Sequence, residues 1–400
     1  MWLYLAGLSL GLLGVMDLMV NIVAVRILGF NLVELGVLNA AWTIAVIPSL
    51  RHANALSNAG LTRRPVILGL TSLTVFIVLL YDTVVARNIT LVYPAYMLHA
   101  VAYSYIKTGC QTAVLESYRS SSWSYYSRRL SQFAVLSQGV GLLAVSRVWS
   151  SLFQAWNYLA LSLAILLVNA SLMMLIPQPS LRFERILTRI EQYLKKGLTR
   201  IHGYLTVSSL DYADGDKLNM TVDRFLGEDV SIPVLALALV SFRVGNEYLF
   251  TPLPYVFIYY MGLRTPDVIA LYGLGMILGF VIMLVMPSNV ASKGALSLSV
   301  LAKIAGVASI VVWRPVLAAS SSLLALIYVS NIVIDTTLYT IYIQATSGSN
   351  VGLYSMVAEA SSLFGTLTSG LVMVALGLNT ALLVLVALNL APLLLIGENW

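Results

Sequence analysis

Charge is scarce in this chain. Only 10% of its 400 residues are Asp, Glu, Lys or Arg, and 59% are apolar, whereas a soluble domain carries about 25% charged residues. That excludes a water-soluble globular protein. Cysteine is scarcer still. Cys110 stands alone, so neither a disulfide nor a thiolate metal site can form within the chain. The three histidines, His52, His99 and His202, make no metal-ligand spacing. A phosphate-binding glycine loop is also missing, because the nearest match, "GLSLGLLG" (7–14), lies inside an apolar run. These gaps argue against an enzyme, a nucleotide-driven pump, a metal or a cofactor. The net charge of +6 implies no nucleic-acid partner, since Lys and Arg of membrane proteins gather in cytoplasmic loops.

What is present is long apolar runs. They are continuous over about twenty residues, the length of a membrane-spanning helix, and lack the period-two alternation of a membrane barrel. The expectation is an all-α integral membrane protein with twelve transmembrane helices, at 3–26, 34–51, 65–82, 92–117, 129–147, 153–176, 231–262, 266–286, 295–313, 317–344, 352–376 and 378–396. The first run has no basic leader and is too long for a signal peptide, so it reads as a span that stays. Two six-helix bundles, 1–176 and 231–400, flank a polar linker, 177–230. The linker opens with "SLRFERILTRIEQYLKKGLTRI", a basic amphipathic pattern that suits either an anionic leaflet or a solvated linker helix. With both termini cytoplasmic, fifteen of the twenty-three Lys and Arg fall in inner loops and five, Arg26, Arg87, Arg147, Arg264 and Arg314, at outer ends. This is the bias expected of a cell-membrane, multi-pass protein.

The chain repeats itself. "LGFNLVELGVL" (28–38) is echoed by "MGLRTPDVIAL" (261–271), pairing Gly29 with Gly262 and Glu34 with Asp267. "IPS" (47–49) is echoed by "MPS" (286–288), and "YIKTGCQTAVLES" (105–117) by "VIDTTLYTIYIQA" (333–345). In the last pair Lys107 meets Asp335. Three echoes in order, at nearly one offset, imply two parallel six-helix repeats, a known transporter plan.

This organisation resembles the major facilitator superfamily along the whole chain. The family's loop between spans two and three has a counterpart in "ALSNAGLTRRPVIL", where Arg63 and Arg64 match the basic pair, Ala55 replaces a glycine, and Ala59 stands where the acid belongs. The second-half loop, "PSNVASKGAL", keeps only Lys293. After span four, "LESYRSSSWSYYSRRL" is similar to the family's acid-then-arginine pattern through Glu116, Arg119, Arg128 and Arg129. The resemblance implies that Arg63, Arg64, Glu116, Arg128 and Arg129 form a cytoplasmic gate, and that the missing acid weakens it. It also implies that spans one, four, seven and ten line a central cavity.

Charges inside spans are costly and mark water-filled paths. Seven are present: Asp17, Lys107, Arg243, Glu247, Lys303, Asp335 and Glu359. Lys107, with Gln111 one turn on, and Asp335, with Asn331 one turn back, fall at equal depth, about 13 Å from the inner end. A Lys107–Asp335 pair reads either as a clasp between the repeats or as a contact for substrate or proton. Arg243 and Glu247 are placed to pair along one helix face, ahead of Pro252 and Pro254, which should break the helix. Asp17, with Asn21 one turn on, and Glu247 are proton-site candidates. Lys303 is expected to snorkel to the inner interface, and Glu359 to support the interface between repeats. The function expected is a secondary active transporter moving a small organic solute by alternating access, as a monomer among membrane lipids, with protons for coupling. The alternatives are efflux of cationic or amphipathic drugs by the same fold, and flipping of a lipid-linked precursor.

Overall fold

A computed structural model describes residues 1–59, 61–118, 122–177, 232–286, 293–313, 317–345 and 351–397. Every regular element among them is helical, as hydrocarbon requires of chains that must satisfy their own backbone groups. The helices are α1 (Trp2–Arg26), α2 (Leu32–Asn58), α3 (Arg63–Val85), α4 (Ile89–Ser117), α5 (Trp123–Val148), α6 (Ala155–Leu175), α7 (Ile232–Phe250), α8 (Thr265–Val285), α9 (Lys293–Trp313) and α10 (Leu317–Ala345). A last helical run, Val351–Gly397, turns at Gly377 (φ 76°, ψ 165°) into two arms, here α11 (351–376) and α12 (378–397). Nine helices among the described residues are long and apolar enough to cross a membrane, and the chain is a multi-pass membrane protein. α4 is long enough as well but is diluted by His99, Lys107 and Gln111. The linker helix expected after 177 and Arg119 lie outside the described residues.

Local chemistry sets the helix ends. Asn31 accepts from the Val33 and Glu34 N–H groups at the start of α2, and Glu34 accepts from the Asn31 N–H at 2.8 Å, a reciprocal cap. The turns before α2 and α8 each use a glycine in the left-handed region, Gly29 (φ 75°) and Gly262 (φ 67°). The proline break expected in the seventh span is present. α7 ends at Phe250, a short turn follows over Leu253–Tyr255, and Val256–Tyr260 adopts π-helical winding, because neither proline can donate an N–H.

α5 packs on α8, and α2 on α11. Both crossings are close because glycine removes the side chain. A Cβ on Gly139 would stand 3.0 Å from the Gly273 carbonyl oxygen, and one on Gly370 would stand 2.2 Å from that of Leu32. Within the first six helices, α1 packs against α4, α5 and α6, and its buried Ser9 donates to Asn169 of α6 at 2.5 Å.

Candidate functional site

The seams leave a cavity of about 410 Å³ between the first six helices and the last six. Its wall includes Asp17 and Asn21 from α1, Lys107 from α4, Arg243 and Glu247 from α7, and Glu359 from α11. A second space of about 390 Å³ adjoins it, lined by α1, α4, α5 and Trp42 of α2 and including Gln111. Asp17, Trp42, Tyr103, Lys107 and Gln138 line both. The second space runs from Asp17 toward Leu10, and so toward the end of the bundle where α1 begins. At the opposite end the Tyr259 hydroxyl donates to the Val25 carbonyl at 3.3 Å, joining the π-helical segment to the end of α1.

Asp17 sits in a hydrogen-bonded set that the sequence reading missed. Its carboxylate accepts from the Tyr96 hydroxyl at 2.7 Å. Asn21 donates to that hydroxyl at 2.9 Å and accepts from Asn39 at 2.7 Å. The available signal was an amide within an apolar span, Asn39 in "VLNAAW". Trp42 donates to Nδ1 of buried His99, whose Nε2 lies 3.0 Å from the Leu13 carbonyl oxygen. Both ring nitrogens are engaged, and an imidazole accepting at Nδ1 is neutral.

The Lys107–Asp335 pair does not form. Arg243 takes Asp335 instead, with Nη2 2.6 Å from Oδ1, and the Tyr354 hydroxyl donates to the same carboxylate oxygen at 3.2 Å. Repeat symmetry paired the two residues, but α7 supplies Asp335 with a cation whose planar fork reaches it from close by. The Arg243–Glu247 bridge along α7 is therefore replaced, and Glu247 accepts from Thr251 at 3.1 Å. Lys107 lies over the Tyr103 ring, with Nζ 5.2 Å from the centroid, and interacts electrostatically with Glu359 across the cavity. Glu359 thus belongs to the cavity rather than to the seam. Asn331 and Asp335 are off the cavity wall. The Asn331 Oδ1 and Arg243 Nε are buried without hydrogen-bond partners among the described residues. Lys303 does not snorkel. It is fully buried, donates to Asn246 of α7, and holds its ammonium 4.9 Å from the Phe242 ring centroid. That amide oxygen offers a nearer partner than the interface does.

Among the expected gate residues, Arg128 crosses a seam. It donates to the Met283 and Met286 carbonyls at the end of α8, both at 2.5 Å, with Gln132 adding a bond to Met283 at 3.2 Å. These carbonyls have no partner within their own helix. Arg63 instead caps the end of α6 through Ile176 and Met174. Arg129 stays with Tyr125 of its own helix, Arg64 is exposed, and Glu116 sits in the last turn of α4.

No protein-family model matches the sequence, and no curated protein matches it. The fold does match solved structures. The inward-open form of the xylose transporter XylE from E. coli superposes with a TM-score of 0.66 at 10% identity, covering 100% of this chain and 94% of that one. A partially occluded inward-open form of the same transporter gives 0.67 at 11% identity, covering 99% and 96%. The chain shares the fold of these solved structures over its whole length.

Proposed function

We propose that the chain is a secondary active transporter that carries a small organic solute by alternating access, with protons as the coupling ion. One observation carries the reading. A single cavity is faced by Asp17 of α1 and Glu247 of α7, and no cation lies within ion-pair distance of either among the described residues. A carboxyl with hydrogen-bond donors but no counter-ion is suited to exchanging a proton as its surroundings alternate between wet and closed. The architecture read here is twelve spans in two parallel six-helix halves, 1–176 and 231–400, with both ends cytoplasmic, in the cell membrane and as a monomer. The cavity reaches toward the cytoplasmic end, while Tyr259 and Val25 close the outer end. Rocking about the α5–α8 and α2–α11 seams would reverse this. The named cargo of the fold neighbours, xylose, is a small polar solute, and the amides and hydroxyls of the wall suit a solute of that size.

The test is uptake or efflux in proteoliposomes under an imposed pH gradient. Asp17→Asn or Glu247→Gln should abolish the effect of the gradient while the protein stays folded. Asp335→Asn should keep it, because that carboxylate is committed to Arg243. Intact pH dependence in the Asp17→Asn, Glu247→Gln double variant would remove proton coupling from the proposal.

A further inference from the structure

We infer that the transported solute is an organic cation, a protonated or quaternary amine, and that the Lys107 ammonium stands in for it when no solute is bound. The inference rests on the transporter reading above and names its substrate class.

Charge bookkeeping comes first. Three carboxylates and two bases face the cavity. Arg243 is neutralised by Asp335 behind the wall, at 2.6 Å. Lys107 is then the one cation left on the wall to face Asp17, Glu247 and Glu359; Lys303 lies off the wall, held by Asn246, and the buried imidazole of His99 is neutral. When Asp17 and Glu247 have released their protons, a positively charged solute corrects that surplus of acid, and an anion worsens it. Membrane-embedded charge imbalance is costly, so the sign of the solute matters.

Shape points the same way. Trp42 and Tyr103 meet where the two spaces join, with ring centroids 6.0 Å apart. Aromatic faces attract cations, and this is how quaternary amines are commonly held. The Tyr103 face already carries an ammonium, that of Lys107, 5.2 Å from the ring centroid. Ser104, the next residue on α4, is fully buried on the same wall, and its Oγ has no hydrogen-bond partner among the described residues. A buried hydroxyl without a partner is uncommon. Here it is placed to meet an N–H or hydroxyl of the solute. On binding, the solute takes the aromatic face and Asp17, and Lys107 is displaced toward Glu359.

Lys107 is thus a tethered competitor, and this sets an unusual direction for its removal. Binding to the full chain in detergent is measured by titration calorimetry with choline, benzyltrimethylammonium and tetraphenylphosphonium. The uncharged carbon isostere of choline, 3,3-dimethylbutan-1-ol, serves as control. At least one cation should bind and the isostere should not. Lys107→Met should tighten that cation roughly five- to tenfold, the size of one cation–π contact, whereas Lys107→Arg, which keeps the charge, should not. Trp42→Leu should weaken it. Failure of all three cations, equal binding of the isostere, or weaker binding in Lys107→Met overturns the inference. Proteoliposome uptake of xylose and succinate separates the two readings. Transport of either without cation binding leaves a transporter of another substrate class. No transport and no binding of any solute removes both.

Discussion

Asp335 takes its cation from α7, although repeat symmetry matched it with a lysine elsewhere in the bundle. Repeat symmetry in a sequence reports depth and little about reach. Lys107 and Asp335 were legible as intramembrane charges, since such residues stand out in any apolar run. Their partners were not legible, because partner choice depends on helix rotation and side-chain geometry. The same holds for Tyr96 and Asn39, uncharged residues whose role appears only once Asn21 is seen bonded to both and Tyr96 to Asp17. The Arg243–Asp335 pair is partly exposed, with side chains 27% and 41% exposed, so its stabilisation should be modest. Arg243→Met should cost about 1–2 kcal/mol of stability, mainly by leaving Asp335 uncompensated. Adding Asp335→Asn should recover part of that loss. A double-variant cycle by chemical unfolding in detergent measures it, and strict additivity of the two losses would show that the pair does not interact.

Helices were the easiest feature to read, because a run of about twenty apolar residues has one stable form in lipid. The break after Phe250 was legible for the same kind of reason, as proline has no N–H to give. Glycines divide into two sorts, and the sequence shows only one. Gly29 and Gly262 recur at matched turns, and both hold a left-handed φ with nothing near a would-be Cβ. Gly36, Gly139, Gly273 and Gly370 look like ordinary glycines in spans, yet they are where backbones of different helices meet. Gly262→Ala should therefore cost only the left-handed strain, about 1–2 kcal/mol. Gly370→Ala, whose methyl would press on a backbone oxygen 2.2 Å away, should cost more, and Gly370→Val should part α2 from α11 altogether. Thermal unfolding in detergent ranks the three. Equal stability of Gly262→Ala and Gly370→Ala would contradict the crossing.

The two seams also offer an axis for the proposed alternating access. Under the six-plus-six reading, advancing each helix by six exchanges the α2–α11 contact with the α8–α5 contact, so the pair forms a natural rocking axis. The halves are not latched alike, however. On the α5–α8 side, Arg128 and Gln132 hold the last turn of α8, while the opposite end is held by Tyr259 on Val25. Under the proposed orientation that second contact is the outer one and must break for the cavity to face outward. The chain's only cysteine, Cys110, is fully buried, so introduced thiols at the surface can be addressed selectively. Val25→Cys with Tyr259→Cys places one thiol on each side of the outer contact. A tyrosine side chain spans that gap, which exceeds the ~6 Å between Cα atoms that a disulfide bridges, so a longer, cleavable bifunctional thiol reagent is needed. Cross-linking should stop transport in proteoliposomes, and cleavage should restore it. Binding of the solute in detergent, where the cytoplasmic end stays open, should survive the cross-link. If cross-linked protein transports at the rate of the untreated variant, the Tyr259–Val25 contact is not the outer gate. Loss of binding together with transport would mean that the cavity is reached from the outer end in this state.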